Sequence, residues 1–192
     1  MPIGRTDTIT GGLAADNLTG GAGADQFVFT SGLTIDTVTD FTAAQGDVAA
    51  FSLAALEAAG ATIAGHTIDL ADGNGDSLTA GVAITVVSIA AATVLSANDT
   101  VLNYTVATIA NATALEAALE AGGGIITGAG ALAVNDGVLF QYRTAGGDVN
   151  LAMGQVTSIG VNQQVDGWTV TDVATLTGGI ADLAAAQYAI IA

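Results

Sequence analysis

The most informative stretch of the sequence is Asp7–Asp47, which reads DTITGGLAADNLTGGAGADQFVFTSGLTIDTVTDFTAAQGD. It contains two tandem nonapeptides, GGLAADNLT at Gly11–Thr19 and GGAGADQFV at Gly20–Val28. Each nonapeptide has a glycine pair, an aspartate at its sixth position and an apolar residue at its eighth. A degenerate third copy precedes them, so aspartates recur with a nine-residue period at positions 7, 16 and 25.

This repeat predicts a coil in which tight turns alternate with very short strands. Glycine reaches positive φ without steric cost, and the small polar residues beside it favour turns. The three residues after each aspartate suffice for a short strand with one inward side chain, so two nonapeptides complete one turn of the coil. We expect Asp7 and Asp25 to stack on one side and Asp16 to lie on the other.

Stacked turns of this kind place carboxylates beside backbone carbonyl oxygens, and these are the ligands that Ca²⁺ prefers. Without a cation the stacked carboxylates would repel each other, and little else would offset the entropy lost when the glycines are ordered. We therefore expect the coil to be ordered only when calcium is bound.

At these residues the chain resembles the repeats-in-toxin (haemolysin-type) calcium-binding β-roll, whose consensus is G-G-x-G-x-D-x-U-x. Gly20–Val28 matches this consensus fully, whereas Gly11–Thr19 departs from it at Ala14. The segment DTVTDF at Asp36–Phe41, followed by Gly46-Asp47, resembles the segment that often closes such rolls. The resemblance covers about the first quarter of the chain.

The resemblance implies calcium binding by a set of aspartates and glycines of the roll: Asp7, Gly11, Asp16, Gly20, Gly21, Gly23, Asp25, Asp36 and Asp40. It also implies an extracellular protein exported by type I secretion through an uncleaved C-terminal signal. The final residues, GGIADLAAAQYAIIA, are similar to such a signal because they contain no basic residue and finish apolar. A final amphipathic helix or strand is the alternative interpretation. The N-terminal residues, MPIGRTDTITGG, do not have the pattern of a secretory signal peptide.

Composition narrows the possible functions. The 192 residues include 18 acidic side chains, two arginines, no lysine and no cysteine, and the formal net charge is −16. Such a chain repels nucleic acid and anionic membranes and attracts divalent cations. Because 51% of the residues are hydrophobic and 10% are charged, the composition is opposite to that of disordered chains. No unbroken apolar run reaches the roughly 18 residues of a membrane span. Without disulfides, bound metal is the obvious source of stability outside the cell.

The remainder of the chain predicts strands with one or two short helices. Val48–Gly60 has a helical period with Ser52 as N-cap, and Thr113-Ala114-Leu115-Glu116 is a capping box that begins a helix through Ala121. Glu116 and Glu120 are expected on the solvated face of that helix.

Gly137–Gly154 is typical of a β-hairpin, in which Arg143 is expected to pair with Asp148. We predict a mainly β fold with two parts. Residues 1–50 would form a short calcium-binding parallel β-roll, and residues 51–192 a β-rich, sandwich-like domain that includes the helix near residues 113–121.

A second candidate metal site is the turn that contains Asp72, Asn74 and Asp76. These three residues at alternate positions resemble the first half of an EF-hand loop. Ser77 and Ala83 stand where an EF-hand requires glycine and glutamate, so a true EF-hand is excluded. A calcium-binding hairpin tip and a plain polar turn remain as alternatives.

No motif for catalysis is present, and we predict that the chain is not an enzyme. It has no H-E-x-x-H segment, no phosphate-binding loop, no G-x-S-x-G elbow and no cysteine nucleophile. The single histidine, His66, excludes a multi-histidine metal centre. A haem site formed by His66 and Tyr104 is the alternative to a structural histidine.

Three hypotheses for function follow. The first is a secreted, calcium-dependent structural protein that self-assembles outside the cell as a surface-layer, sheath, filament or matrix subunit. Strand edges without lysine invite strand addition, and a surface rich in Thr, Ala and Gly meets a second copy at small desolvation cost. The second is a calcium-stabilised binding or adhesin module that recognises a cell-surface glycan. The third is the C-terminal secretion tail of a larger protein.

Overall fold

A computed structural model of the chain describes residues 4–30, 34–52, 84–89, 93–95, 101–121, 126–127, 134, 137–161 and 164–191. These residues form 13 β-strands and one α-helix. The prediction of a mainly β chain is confirmed, and the strands form parallel and mixed sheets. The predicted turn at Asp72, Asn74 and Asp76 lies outside the described residues, as does His66.

The strands, in chain order, are β1 Thr8–Thr10, β2 Asn17–Leu18, β3 Gln26–Phe29, β4 Asp36–Val38, β5 Val48–Ser52, β6 Val86–Ile89, β7 Val94–Leu95, β8 Val101–Tyr104, β9 Ile126–Thr127, β10 Gly137–Arg143, β11 Val149–Ile159, β12 Val165–Leu176 and β13 Tyr188–Ile191. The helix, α1, spans Ala112–Ala121. Short 3-10 turns occupy Ala43–Gln45 and Ala185–Gln187.

The first five strands wind as a coil that alternates between two sheets. β1, β3 and β5 pair in parallel in a four-stranded sheet of order β1-β3-β5-β13, and β2 and β4 pair in parallel at one side of a seven-stranded sheet of order β2-β4-β12-β11-β10-β8-β6. Residues hydrogen-bonded between successive turns are separated by 18, 20 and 22 positions. The shortest turn therefore has the length of two nonapeptides, and the later turns contain extra loop residues.

Aromatic side chains fill the inside of the coil. Phe27, from the eighth position of its repeat, is fully buried and contacts Phe41 with ring centroids 5.9 Å apart. Phe29 and Phe51 make a similar contact at 5.6 Å between neighbouring turns. Leu18, also at an eighth position, is buried as well. The apolar residue of each repeat thus packs into the core between the two sheets.

The prediction of a helix over Val48–Gly60 is wrong at its start. Val48–Ser52 is the strand β5, which pairs in parallel with β3 on one side and β13 on the other. Residues 53–60 lie outside the described residues. A strand buried on both faces reads as an unbroken apolar run, and periodicity alone does not separate such a run from a buried helix.

A three-stranded antiparallel meander lies at the middle of the seven-stranded sheet. It consists of β10, β11 and β12, and the predicted hairpin between the first two is confirmed. Gly147, with φ of 89°, occupies the left-handed position in its turn. β11 extends to Ile159, well beyond the predicted end of the hairpin.

The C-terminal strands continue both sheets of the coil. β12 pairs in parallel with β4, and β13 pairs in parallel with β5. The expected boundary between residues 50 and 51 therefore falls inside β5, and hydrogen-bonded sheets cross it. The signal-like tail supplies β13, in which Tyr188 and Ile190 are buried.

The helix α1 lies along an edge of β12. β4 pairs with this strand only at Ala174–Leu176, so the rest of that edge has no strand partner among the described residues. Glu116 Oε2 accepts a hydrogen bond from Val170 N at 3.1 Å, and Glu120 Oε1 accepts one from Trp168 N at 3.0 Å. Four residues along a helix rise about 6 Å, and two residues along a strand rise about 6.8 Å. The spacing of the two glutamates therefore matches the spacing of the two N–H groups.

Two predictions about this helix are therefore corrected. Glu116 and Glu120 do not form a purely solvated face, because both carboxylates bind backbone N–H groups of β12. The N-cap is Asn111 and not Thr113: Asn111 Oδ1 accepts a hydrogen bond from Ala114 N at 3.0 Å. The helix thus begins at Ala112, two residues earlier than a capping box with Thr113 as N-cap indicates.

Replacing both Glu116 and Glu120 by alanine should lower the free energy of unfolding by about 1–2 kcal/mol, because two edge N–H groups lose charged acceptors and are left to water. Urea denaturation in millimolar CaCl₂ measures the effect. The double glutamine variant keeps an acceptor at each position and should lose less, and Thr113→Ala on the exposed side of α1 serves as control. A double alanine variant as stable as the native chain would contradict this account of the helix.

Candidate metal site

On one side of the coil, aspartates of successive turns are joined in a line. Asp25 Oδ1 accepts a hydrogen bond from Asp7 N at 2.8 Å, and Asp47 Oδ1 accepts one from Asp25 N at 3.0 Å. Each carboxylate therefore binds the backbone of the aspartate one turn earlier. The parallel strands place equivalent residues of successive turns side by side. A carboxylate can therefore reach the backbone of the previous turn only if the aspartates occupy equivalent positions of the coil.

The other side of the coil repeats the arrangement. Asp36 Oδ1 accepts a hydrogen bond from Asp16 N at 3.0 Å. The carboxylate of Asp40 accepts from Gly20 N at 3.0 Å and from Gly21 N at 2.7 Å. The structure thus divides the predicted residues between two sides, with Asp7 and Asp25 on the first and Asp16 and Asp36 on the second.

The first glycine of each repeat is required by a close approach to a carboxylate. A Cβ on Gly20 would lie 2.5 Å from Asp25 Oδ2, and a Cβ on Gly11 would lie 2.4 Å from Asp36 Oδ2. Gly21 and Gly23 adopt φ values of 89° and 134°, which other residues rarely reach. The glycines therefore allow both the turn itself and the contact between carboxylate and backbone.

One carboxylate oxygen in this region has no protein partner. Asp25 is 1% exposed, and its Oδ2 atom is buried without a hydrogen-bond donor. A buried charged oxygen is costly unless a cation or donor compensates it. The donor set around it, a carboxylate beside glycine-rich backbone, suits a hard cation such as Ca²⁺. The residues present therefore fit the metal that the resemblance implies.

Burial of the Asp36 carboxylate is also unfavourable for its charged form. Burial raises the pKa of the Asp36 carboxyl, the hydrogen bond from Asp16 N opposes this effect, and the charge of Asp16 reinforces it. A cation bound beside Asp36 would favour its ionised form. Within the described part of the chain no three His, Cys, Asp or Glu side chains converge on one point, so backbone oxygens would have to complete a shell of six to eight ligands.

Two residues of this region were missed by the nine-residue period. Asp47 is buried, and its Oδ2 atom accepts a hydrogen bond from Thr42 N at 2.7 Å in addition to the bond from Asp25 N. Gln45 Oε1 accepts from Gly23 N at 2.9 Å. The extra residues before Gly46 break the period, and the closing Gly46-Asp47 pair is the sequence signal that could have identified Asp47.

A second polar cluster is buried between α1 and the meander. Tyr142 donates a hydrogen bond to Asp172 Oδ1, Asn150 Nδ2 donates to the Tyr142 hydroxyl at 2.9 Å, and Ala112 N donates to Asp172 Oδ2 at 2.9 Å. Burial and the bond to Asp172 raise the pKa of Tyr142 far above its ordinary value. The cluster ties the start of the helix to β10, β11 and β12, which is a structural role.

The ion pair of Arg143 differs from the prediction. Its partner is Asp182, with Nε 2.7 Å from Oδ1, and not Asp148. The terminal nitrogens donate to Gly147 O at 3.2 Å and to Ile180 O at 2.6 Å. Asp182 reaches Arg143 because the segment before β13 returns across the end of β10, a long-range contact that hairpin spacing does not reveal.

Comparison with family models, curated proteins and solved structures finds no match to this chain. Among the described residues, no helix combines the length and apolar character needed to cross a membrane. Function must therefore be argued from the site itself.

Gly20→Ala should destabilise the coil by about 1–3 kcal/mol, because the added methyl group overlaps Asp25 Oδ2 and forces the carboxylate to move. Thermal unfolding followed by circular dichroism measures the loss. Gly146→Ala is the matched control, since a Cβ there meets no atom closer than 3.6 Å. Equal losses for the two variants would show that the close approach at Gly20 has no energetic consequence.

The buried tyrosines predict a loss of stability at high pH. Burial and the charge of Asp182 raise the pKa of Tyr188 well above its ordinary value of 10.0, so the folded chain keeps this hydroxyl neutral when the unfolded chain ionises it. The neutral Tyr188 hydroxyl therefore contributes to the stability of the fold below pH 10.0. This contribution is lost as the pH rises from 10.0 towards the raised pKa of the folded chain. Melting temperatures of Tyr188→Phe should fall less steeply in this range than those of the native chain, and parallel curves would contradict the assignment.

Proposed function

We propose that the chain is a secreted, calcium-dependent structural protein that self-assembles outside the cell as a surface-layer, sheath, filament or matrix subunit. The observation that carries the calcium part of this proposal is the buried Asp25 carboxylate, whose Oδ2 atom has no protein donor beside a glycine turn. Parallel pairing of β1-β3-β5 and of β2-β4 supports interpreting the coil as a calcium-binding β-roll of the repeats-in-toxin type.

In this proposal the aspartates of the coil hold calcium between turns. Asp25 and Asp7 would contribute on one side and Asp16 and Asp36 on the other, while Asp47 orients Asp25 by accepting its backbone N–H. Bound calcium supplies positive charge that offsets the repulsion between the stacked carboxylates. The chain provides the glycine turns and the aromatic core that keep the carboxylates fixed and shielded from water.

Calcium also links folding to export. The C-terminal residues that resemble a type I secretion signal form β13, where Tyr188 and Ile190 are buried and pair with the coil strand β5. An export machinery could bind this segment only before the chain folds. Low calcium inside the cell would keep the segment accessible, and higher calcium outside would complete both sheets.

Self-assembly is supported by the edges and the charge of the chain. The outer strands are β1 and β13 in the four-stranded sheet and β2 and β6 in the seven-stranded sheet, and the chain has no lysine to protect them. Leu13 and Ile35 are 70% and 44% exposed on neighbouring turns of the coil. A net charge of −16 keeps copies apart until cations reduce it, so calcium would promote both folding and association.

The test is a calcium titration of the purified chain, starting in chelator, with circular dichroism and light scattering recorded together. The proposal predicts that the β-sheet signal and the particle mass rise together in the millimolar range or below. Asp25→Asn keeps an oxygen acceptor for Asp7 N but loses the charge beside Gly20, so it should need at least about tenfold more calcium. Asp166→Asn, at an exposed position of β12, is the matched control.

The outcomes separate the hypotheses. A rise in β-sheet signal at constant monomer mass would overturn self-assembly and favour a calcium-stabilised binding module or a secretion tail. No response in either signal, or equal calcium requirements for the Asp25 and Asp166 variants, would overturn the calcium site.

A further inference from the structure

A cavity of about 270 Å³ lies where the parallel strands β8 and β10 end. Its lining consists of Tyr104, Thr105, Ala107, Thr108, Arg143 and Asp182. The loop after β8 crosses the end of β10 and is fixed there by a hydrogen bond from Ile109 N to Arg143 O at 2.7 Å. The cavity is thus bounded by ordered backbone on the side of the two strands, far along the chain from the aspartates of the coil.

The charged groups of the cavity are held in place before any ligand arrives. Arg143 contacts Asp182, Gly147 O and Ile180 O, and Asp182 Oδ2 also accepts a hydrogen bond from Asn103 Nδ2 at 3.0 Å. Both side chains remain about one-third exposed, at 34% and 36%. A fixed donor and a fixed acceptor side by side lower the entropic cost of binding a polar ligand.

These groups retain capacity for further hydrogen bonds. A guanidinium group carries five N–H donors, and the three contacts of Arg143 leave donors on its terminal nitrogens without a partner in the described part of the chain. Each carboxylate oxygen of Asp182 accepts one hydrogen bond and can accept another. An exposed donor next to an exposed acceptor matches two neighbouring hydroxyl groups, of which one accepts and the other donates.

The remaining lining is amphipathic. Tyr104, which is half-buried, and Ala107 provide apolar groups, Thr108 carries a hydroxyl group, and the hydroxyl of Thr105 donates a hydrogen bond to Ile89 O at 3.4 Å. The ion pair is neutral as a whole, and the net charge of −16 disfavours an anionic ligand. The volume lies just below the usual range for ligand pockets, which fits a single ring.

We propose that this cavity binds one neutral sugar ring, with two adjacent hydroxyl groups on Arg143 and Asp182 and the apolar face of the ring against Tyr104. A sugar combines vicinal hydroxyl groups with patches of C–H, which is the combination that the lining presents. This binding site is separate from the calcium site and would let an assembled or single chain attach to a glycan.

The experiment is a titration of the ¹⁵N-labelled full-length chain, in millimolar CaCl₂, with methyl glycosides of glucose, galactose, mannose and N-acetylglucosamine. We expect saturable shifts of the Arg143 Nε–H signal and of the backbone amides of residues 104–108 with at least one glycoside, at millimolar affinity. Ala107→Phe, at an exposed position, fills the cavity without removing core contacts and should weaken binding at least about tenfold. Ala117→Phe, exposed on α1, makes the same change away from the cavity and should bind like the native chain.

Three results would overturn the proposal. The first is the absence of saturable shifts with all four glycosides. The second is binding that Ala107→Phe leaves unchanged. The third is tighter binding of methyl glucuronide than of methyl glucoside, because a preference for the anion would show that Arg143 acts as a charge site and not as one half of a hydroxyl-binding pair. Thr108→Val, which removes only a hydroxyl group, provides a second variant if Ala107→Phe does not fold.

Discussion

The stacking of aspartate carboxylates on successive turns is the constraint on which the N-terminal coil, about a quarter of the chain, depends. Parallel strands bring equivalent residues together at every turn, so the same geometry that repeats a favourable contact also repeats a charge. Part of that charge is compensated by backbone N–H donors, as at Asp25 Oδ1 and Asp36 Oδ1. Asp25 Oδ2 is buried without such a donor. In the proposed function a cation would compensate this oxygen, since the glycines that permit the close approach provide little stability of their own.

The rest of the molecule is coupled to this coil through hydrogen-bonded sheets. β12, already paired with β11, gains β4 as a second partner, and β13 pairs with β5, so these C-terminal pairings form only when the first turns are formed. The contact between Phe51 and Tyr188, with ring centroids 6.4 Å apart, joins the same two regions in the core. Such contacts between distant parts of the chain are slow to form and lose their value if either part is disordered. A cation bound in the coil would therefore stabilise the C-terminal strands that it never touches.

Local repetition made the coil predictable, and long-range contacts made the rest hard to predict. The period of nine residues places Asp7 and Asp25 one turn apart, and it identifies Leu18 and Phe27 as core residues. The same period misses Asp47, because inserted loop residues shift it out of phase. Whether Val48–Ser52 forms a helix or a strand depends on the strands beside it, because β5 pairs with β3 on one side and β13 on the other. The partners of Arg143 and Glu116 lie 39 and 54 residues away, at distances that no local pattern encodes.

The treatment of strand edges connects this architecture to the proposed function. Along β12, the chain covers the edge with a helix whose carboxylates, spaced four residues apart, match N–H groups spaced two residues apart on the strand. This cover is specific, because it requires glutamate at two positions and a helix running antiparallel to the strand. The edges at β1 and β2 have no comparable cover among the described residues, and lysine, the usual protection of an edge, is absent from the whole chain. Protection at one edge shows that the fold can prevent strand addition. Among the described residues, β1 and β2 therefore keep backbone edges without such protection, beside the exposed Leu13, and these are the edges that the proposed self-assembly would use.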